Sequence, residues 1–445
     1  MKKTVLSLLI TLATLPVFAW TVPAEIEPIE APFEMPQLQR PVFPDAKLYI
    51  TKTGAKKGKP ATAAIQKAID RLAAKGGGTV VVPAGEWLTG RITLKSNVCL
   101  HLEEGAVLQF SGAIADYLPV VPCRNEGVDI LSLGAMVYAN GAENIGLTGK
   151  GRLVAPPYDC EVSSRQESGI SADVEKLPFE ERVFDGADGH NIFLPQFFGV
   201  MNCKNILVEG VTFDHSIFWN IVPTYSENII IRDVTVNSHG HGRTDGIDID
   251  SSVNALIEYV TLDCGDDCFT LKSGRGNDGV DRARPTRNVV IRHCAVKRGV
   301  GGVTIGTETA AGIENVFVKD VTMERPMYPF YFKTRRPRGG GADHVWVEDV
   351  TIMDSGRATF FWDMLGSATY VGELAERFPA RPIGKLTPRF GTFRFKNIDV
   401  RRSPLLVRAK GIPEQPIDSL IFENITSPAN QTISLQDVGT FDFNK

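Results

Sequence analysis

From about residue 100 onward, short apolar runs recur behind a polar residue and an asparagine. Lys204-Asn205-Ile206-Leu207-Val208, Glu227-Asn228-Ile229-Ile230-Ile231, Arg287-Asn288-Val289-Val290-Ile291 and Glu314-Asn315-Val316-Phe317-Val318 are copies of one pattern. His344-Val345-Trp346-Val347 and Ser419-Leu420-Ile421-Phe422 read as later ones. The copies lie about 23 to 34 residues apart, a period that signals a solenoid or a propeller. Each unit holds short strands and almost no helical periodicity. A leucine-rich repeat would show a fixed leucine frame, and a propeller blade would need four longer strands. The pattern predicts an all-β fold, a parallel β-helix in which each coil lays its strands on the coil before and the stacked apolar side chains form one long core. Asparagine suits the turns, because it tolerates left-handed backbone and can ladder between coils. A short N-terminal capping helix is predicted from Ala61 to Ala74, with Ile65, Ile69, Leu72 and Ala73 at helical spacing, Pro60 in front and Gly76-Gly77-Gly78 behind. Thr79-Val80-Val81-Val82-Pro83 then reads as a buried strand.

The first residues follow a different pattern. Lys2 and Lys3 precede an apolar run from Val5 to Phe18, and Val17-Phe18-Ala19 reads as a small-residue cleavage site. That is a secretory signal peptide of bacterial type over residues 1–19, and it predicts a periplasmic or secreted protein with no membrane attachment after cleavage. A membrane anchor would need about 20 apolar residues, and Pro16 interrupts this run. Residues 20–45 carry Pro23, Pro28, Pro32, Pro36, Pro41 and Pro44 and read as an extended lead-in. Residues 46–445 are then a single β-helix domain, and a solenoid with capped ends predicts a monomer.

Composition narrows the function. With 43% hydrophobic and 22% charged residues, the 445-residue chain is neither disordered nor, with 42 Gly, collagenous. The net charge of -4 lacks the basic surplus of a nucleic-acid binder. Seven cysteines leave at least one unpaired in an exported chain, and none has the partners of a structural zinc site. Cys264 and Cys268 flank an Asp pair, but buried packing is the expected fate of such thiols.

Two acidic segments carry the candidate chemistry: Thr244-Asp245-Gly246-Ile247-Asp248-Ile249-Asp250 and Gly265-Asp266-Asp267-Cys268. Asp245 and Asp266 lie about one repeat apart, so in a solenoid they occupy adjacent coils on one face. Neighbouring strands are about 4.8 Å apart, so these acids feel each other, and one pKa must rise. A proton-holding acid beside ionised carboxylates is what glycosidic bond cleavage needs. On spacing alone, turn-capping or calcium-binding aspartates stay open. Asp248 and Asp250 alternate along a strand and read as structural. Lys333, Arg335, Arg336 and Arg338 cluster ahead of Gly339-Gly340-Gly341, and Lys272 and Arg275 follow the Asp pair. Such a patch could hold a polyanionic sugar chain or be a solvated loop. Trp219 and Tyr225 are candidates for stacking on sugar rings, or for the core.

Together these segments resemble glycoside hydrolase family 28, the polygalacturonase family. The resemblance runs from about Ala61 to the C-terminus. Its motifs are Gly-Gly-Gly-Thr-Val-Val-Val-Pro-Ala-Gly at 76–85, Phe218-Trp219, Val236-Asn237-Ser238-His239-Gly240 and, above all, Thr244-Asp245-Gly246-Ile247-Asp248 with Gly265-Asp266-Asp267. It implies a right-handed, pectin-lyase-like β-helix and an inverting hydrolase of pectic polysaccharide, of galacturonan or rhamnogalacturonan type. By the resemblance Asp266 is the general acid, Asp245 and Asp267 activate water, and no metal or cofactor is called for. Three positions depart from the family. Arg243 stands for its Asn, Gly301 for its His and Tyr331 for the Arg of its Arg-x-Lys motif, while Lys333 is kept. The lost Arg and the Lys would grip a uronate carboxylate, which a Tyr ring cannot clamp in bidentate fashion. The substrate-binding candidates are therefore Lys333, Tyr331, Lys272, Arg243 and Arg336, with Arg243 or Arg336 placed to restore the missing charge.

Two other function classes fit the architecture: a polysaccharide lyase with calcium on the aspartates, and a non-catalytic glycan-binding solenoid. Two long segments break the repeat, Pro156–Pro195 and Thr359–Phe390, the latter with Trp362 and Tyr370. Irregular insertions on a rigid scaffold usually carry specificity, and these are placed to close the groove.

Overall fold

Each asparagine motif opens one coil of a parallel β-helix. The computed structural model describes residues 20–171, 173–187, 189–429 and 431–444; the signal peptide expected at 1–19 lies outside them. Three parallel sheets run the length of the solenoid. The first stacks Gly78–Val82, Val98–Leu102, Glu143–Gly149, Lys204–Glu209, Glu227–Arg232 and Val253–Glu258 in turn. It continues through the long strands Thr286–Ile305, Ile313–Lys333 and Gly341–Ile352 to the C-terminal strand Val438–Asn444. A second sheet includes Thr212–Asp214, Thr235–Ser238 and Thr261–Cys264. The third, which bears the site described below, stacks Gln196–Met201, Ile221–Thr224, Ile247–Asp250 and Phe269–Lys272 under the far ends of the two longest strands and Phe360–Asp363.

Register explains why each unit needs the same apolar spacing. Val208, Ile231, Ile257, Ile291, Val318 and Val347 are partners in successive coils and are all fully buried. Each such side chain contributes about 1.5–3 kcal/mol on burial, and the interior is one continuous cluster from Ile50 to Ile425. The helix Thr62–Ala73 covers its N-terminal end, burying Ala64, Ile65, Ala68, Ile69 and Leu72. The outward positions of the first sheet are also apolar for a reason. Leu207, Ile230, Leu256, Val290 and Phe317 lie under Ile29 and Leu38 of the Pro-rich lead-in. Arg292 fastens that segment by donating to the Pro28 and Glu27 carbonyls, and Arg40 pairs with Glu209 at 2.7 Å. Behind it, Glu258 is fully buried between Arg232 and Arg292.

Asparagine does both things expected of it. Asn97, Asn144, Asn205, Asn228, Asn254, Asn288 and Asn315 all adopt φ between 53° and 62°. Each Nδ2 from Asn144 onward donates to the Oδ1 one coil below at 2.9–3.1 Å. The ladder stops at His344, which keeps the left-handed turn at φ 54° but has no amide to pass on. Outside the main sheet, the antiparallel hairpin Val121–Asn125 and Val128–Ser132 packs with Ile170 and Phe193 of the first insertion.

Asn228→Ala removes two ladder hydrogen bonds and places a Cβ residue without a local amide at positive φ. We expect a loss of about 2–4 kcal/mol, measured by urea denaturation. Asn228→Gly, which relieves the backbone part, should recover about 1 kcal/mol of it; an unchanged midpoint for both variants would remove the ladder as a stabilising device.

Candidate active site

The acids gather because two turns stack. Asp245 sits in the turn entering strand Ile247–Asp250, and Asp266 and Asp267 sit in the turn entering Phe269–Lys272 one coil on. Backbone bonds lock the turns together: Gly246 N–H donates to the Asp267 carbonyl at 2.9 Å, and Ile247 N–H to that of Cys268 at 2.8 Å. The Thr244 hydroxyl donates to the Ser238 or His241 carbonyl and accepts from Gly265 N–H at 3.0 Å. Asn220 caps the Asp245 carbonyl with both its backbone and side-chain N–H groups. A Cβ on Gly265 would overlap the His241 carbonyl, so only glycine fits there.

The three carboxyls are not equivalent. Asp245 is buried, with Lys272 Nζ 3.2 Å from its Oδ2. Asp267 is buried and held by Lys333 Nζ at 2.7 Å. Asp266 is half-buried; it accepts N–H bonds from Arg243 at 2.9 Å and from Asp267 at 3.1 Å, and among the described residues no lysine or arginine pairs with it. Burial, then the neighbouring Asp267 charge, pushes the Asp266 carboxyl up. Burial also pushes Asp245 well up, against the pull of Lys272. Asp248, sharing Lys272 at 2.9 Å, is pushed up to about 6 by its burial. Four carboxyls thus face two ammonium groups. Coulomb repulsion in a poorly solvated site requires at least one proton to stay, and the carboxyl without a cation is where it costs least. Both lysines gain charge stabilisation in return: burial opposes their ammonium forms, but Asp248 and Asp245 at Lys272, and Asp267 at Lys333, outweigh it and raise both pKa values.

Asp245, Asp266, Asp267 and both lysines line a cavity of about 1250 Å³. Of the sequence candidates, Asp245, Asp266, Asp267, Lys333, Tyr331, Lys272 and Arg243 all border it. Arg336 does not. Its guanidinium is buried in a bidentate pair with Glu414 and donates to the Leu374 and Glu376 carbonyls, so it ties a loop down and is withdrawn from the substrate-binding set. Lys272 is committed to Asp245 and Asp248 beneath the Trp219 ring, its Nζ 3.3 Å from the ring centroid. Arg243 reaches Glu126 at 3.3 Å and lies over Phe218, and it is its backbone N–H that contacts Asp266. Tyr225 lies away from the cavity, its hydroxyl on Asp129.

The family departures have local causes. A Cβ on Gly301 would overlap Thr304 Oγ1 and stand 2.7 Å from Asp267 Oδ1, so the space of a histidine is occupied. Asp267 Oδ1 and Thr304 Oγ1 are both buried without a hydrogen-bond partner. Tyr331 stacks on Phe361 at 5.3 Å and packs on Tyr328 at 4.7 Å, forming an aromatic floor. Both insertions reach the cavity: Ile170, Glu175 and Lys176 from the first, Gly366, Ser367 and Tyr370 from the second. Trp362 instead points into the core and is fully buried. In the sequence Arg338 is only one of a basic cluster, and Glu126, Thr304 and Glu308 were missed as site residues. Only Thr304 carried a signal, its alternation with Val303 and Ile305 along the strand.

Residues 186–360 match the family described as Glycosyl hydrolases family 28. The chain is 26% identical over 375 residues to a probable polygalacturonase of Vitis vinifera, covering 82% of this chain and 70% of that one. It is 24% identical over 418 residues to the exo-poly-alpha-D-galacturonosidase of Dickeya chrysanthemi, covering 86% and 67%. Among solved structures, a hyperthermoactive exopolygalacturonase from Thermotoga maritima aligns with a TM-score of 0.76 at 28% identity, over 87% of this chain and 88% of that one. The polygalacturonase of Erwinia carotovora ssp. carotovora shares the fold, with a TM-score of 0.64 at 21% identity over 91% and 98% of the chains.

Because the Asp266 pKa is raised in the folded chain, the native state binds a proton more tightly than the unfolded state. Stability therefore falls as pH rises from the ordinary value of 3.8 through the raised one. Asp266→Asn removes that fall, but because the Arg243 and Asp267 N–H groups bond to different Asp266 oxygens it leaves an acceptor for only one of them. Calorimetry should show the Tm of the variant relative to the wild type rising by about 2–4 °C between about pH 4 and pH 7; a difference independent of pH would contradict the assignment.

Proposed function

The chain belongs to glycosyl hydrolases family 28 and is a glycoside hydrolase acting on O-glycosyl bonds, and on that premise we propose that it hydrolyses a pectic polysaccharide of galacturonan or rhamnogalacturonan type with inversion at the anomeric carbon. Asp266 is the general acid. It faces the cavity, has no cation to stabilise its anion and sits beside the Asp267 charge, so it holds a proton to give to the departing glycosidic oxygen. Asp267 and Asp245, each against a lysine, are the pair that activates water on the opposite side: Asp267 takes its proton, and Asp245, whose carboxyl burial pushes up, orients it. Asp267 Oδ1, buried beside Thr304 Oγ1 with neither atom partnered, is where that water would find an acceptor and a hydroxyl. The single observation that carries the reading is this division of three stacked carboxyls into two lysine-held and one cation-free.

The substrate class is supported by the names of the relatives. Exo action at a chain end is supported by the two insertions that wall the cavity, and by the exo-acting enzymes among those relatives. Export is supported by the signal-peptide pattern at 1–19, with the mature chain starting at Trp20. No helix among the described residues is long and apolar enough to cross a membrane. The working form is a monomer whose partner is the glycan, with no nucleic acid bound.

Two measurements test this. Proton NMR of digests of pectic oligosaccharides should show the first product as the opposite anomer to the linkage cleaved, released stepwise from one end; an unsaturated sugar end would mean a lyase. Asp266→Asn should lower kcat by about 100- to 10 000-fold with little change in KM, and an unaffected kcat would overturn the acid assignment.

A further inference from the structure

Most cations of the cavity wall are paired with acids, and the exceptions sit at one place. Lys272 is taken by Asp245 and Asp248, Lys333 by Asp267, Arg275 by Glu175 and Arg282 by Asp278. Arg338 is different. Among the described residues, its guanidinium forms neither a hydrogen bond nor an ion pair, though it is mostly buried and lines the cavity wall. Its backbone, by contrast, is pinned from both sides: its N–H donates to the Arg335 carbonyl at 2.7 Å, and its carbonyl accepts from Gly276 N–H at 3.0 Å. Thr309 Oγ1 holds the adjacent Gly339 carbonyl at 3.0 Å, and the buried Arg336–Glu414 pair anchors the loop between. Arg335, three residues before, also lacks a carboxylate; it donates to Thr307 Oγ1 at 3.2 Å and lies over the Tyr370 ring.

The local electrostatics point the same way. Burial, with Arg335 and Arg275 nearby, brings Arg338 down to about 10, so its cation is under-compensated. Glu126, the weaker of two acids that face it, pairs with Arg243; the stronger is Glu308. Burial pushes that carboxyl up, but Lys272, Arg338 and Arg335 outweigh burial and hold it at about 2, ionised yet beyond ion-pair distance. A guanidinium in the cavity wall with no carboxylate of its own is free to take one from a ligand. Its five donors in a planar fork match a carboxylate in bidentate geometry.

We propose that Arg338, flanked by Arg335, is a specificity-determining residue that receives a uronate carboxylate of the substrate, taking over in the following loop the anion recognition that Tyr331 cannot supply. The proposal rests on the pectic substrate read above. Tyr331, backed by Phe361, then offers its ring to a neighbouring sugar, and the charged end of the substrate is turned toward the 334–341 loop.

The test compares wild type with Arg338→Gln on oligogalacturonides and on the same oligomers with carboxylates reduced to primary alcohols. Arg338→Gln should raise KM on the acidic oligomers about 10- to 100-fold with kcat nearly kept, change KM on the reduced oligomers less than about 2-fold, and leave Tm unchanged or higher. Arg338→Lys should recover only part of the loss. An equal effect on both oligomers, or none on either, would overturn the proposal while leaving the hydrolase reading intact. If the wild type cleaves neither the acidic oligomers nor native pectic polymers, the substrate reading fails and the proposal with it.

Discussion

Coil-on-coil register is the constraint from which the rest follows. Parallel strands stack at about 4.8 Å, so whatever occupies a turn in one coil lies against the same turn in the next. In the core this costs nothing, because valine and isoleucine tolerate their own kind above and below. At the turn before the third sheet the same rule brings Asp245 over Asp266 and Asp267, and like charges at that separation are expensive. The lysines answer it unequally. Lys272 arises four residues after Cys268, on the strand that follows the Asp pair, and Lys333 comes from two coils further on. Neither is placed against Asp266. The asymmetry among the three carboxyls is thus a by-product of which coils carry lysine at the end of the strand.

Much of this was readable in the chain, for reasons that can be named. The asparagines gave the turns away because only a residue that accepts positive φ can recur there, and the spacing of Asp245 from Asp266 matched one repeat. The pairing of Lys333 with Asp267 spans 66 residues and is visible only through likeness to a family. Arg336 looked like its neighbours in a basic cluster, yet its partner Glu414 lies 78 residues later, and nothing local marks one arginine of three as an anchor. Trp362 was assigned to an insertion, although Phe360, Phe361 and Trp362 alternate in, out and in like any strand. Glu308 and Arg338 belong to loops whose course depends on contacts across several coils, so no periodicity announces them.

Gly301 and Tyr331 look like losses when compared with the family, but they are of one piece in the structure. Thr304 and Tyr331 are register partners, as are Tyr331 and Phe361. Their outward row forms a floor of one hydroxyl and two rings, and the glycine leaves room for Thr304 and Asp267 to face the same space. On the proposed function, cleavage stays with the acids while recognition moves along the solenoid.

The lead-in has a consequence for how the molecule assembles. Nearly every other contact in the solenoid joins a coil to its neighbour, so the body can zip up progressively. The bonds from Arg292 to Pro28 and Glu27 span 264 and 265 residues, and Phe317 completes the seat for Ile29 and Leu38. A chain that emerges from its first residue onward therefore carries an unseated apolar ribbon until more than half of the coils exist. Closing so large a loop is slow, and it makes docking of the earliest-made segment one of the last folding events.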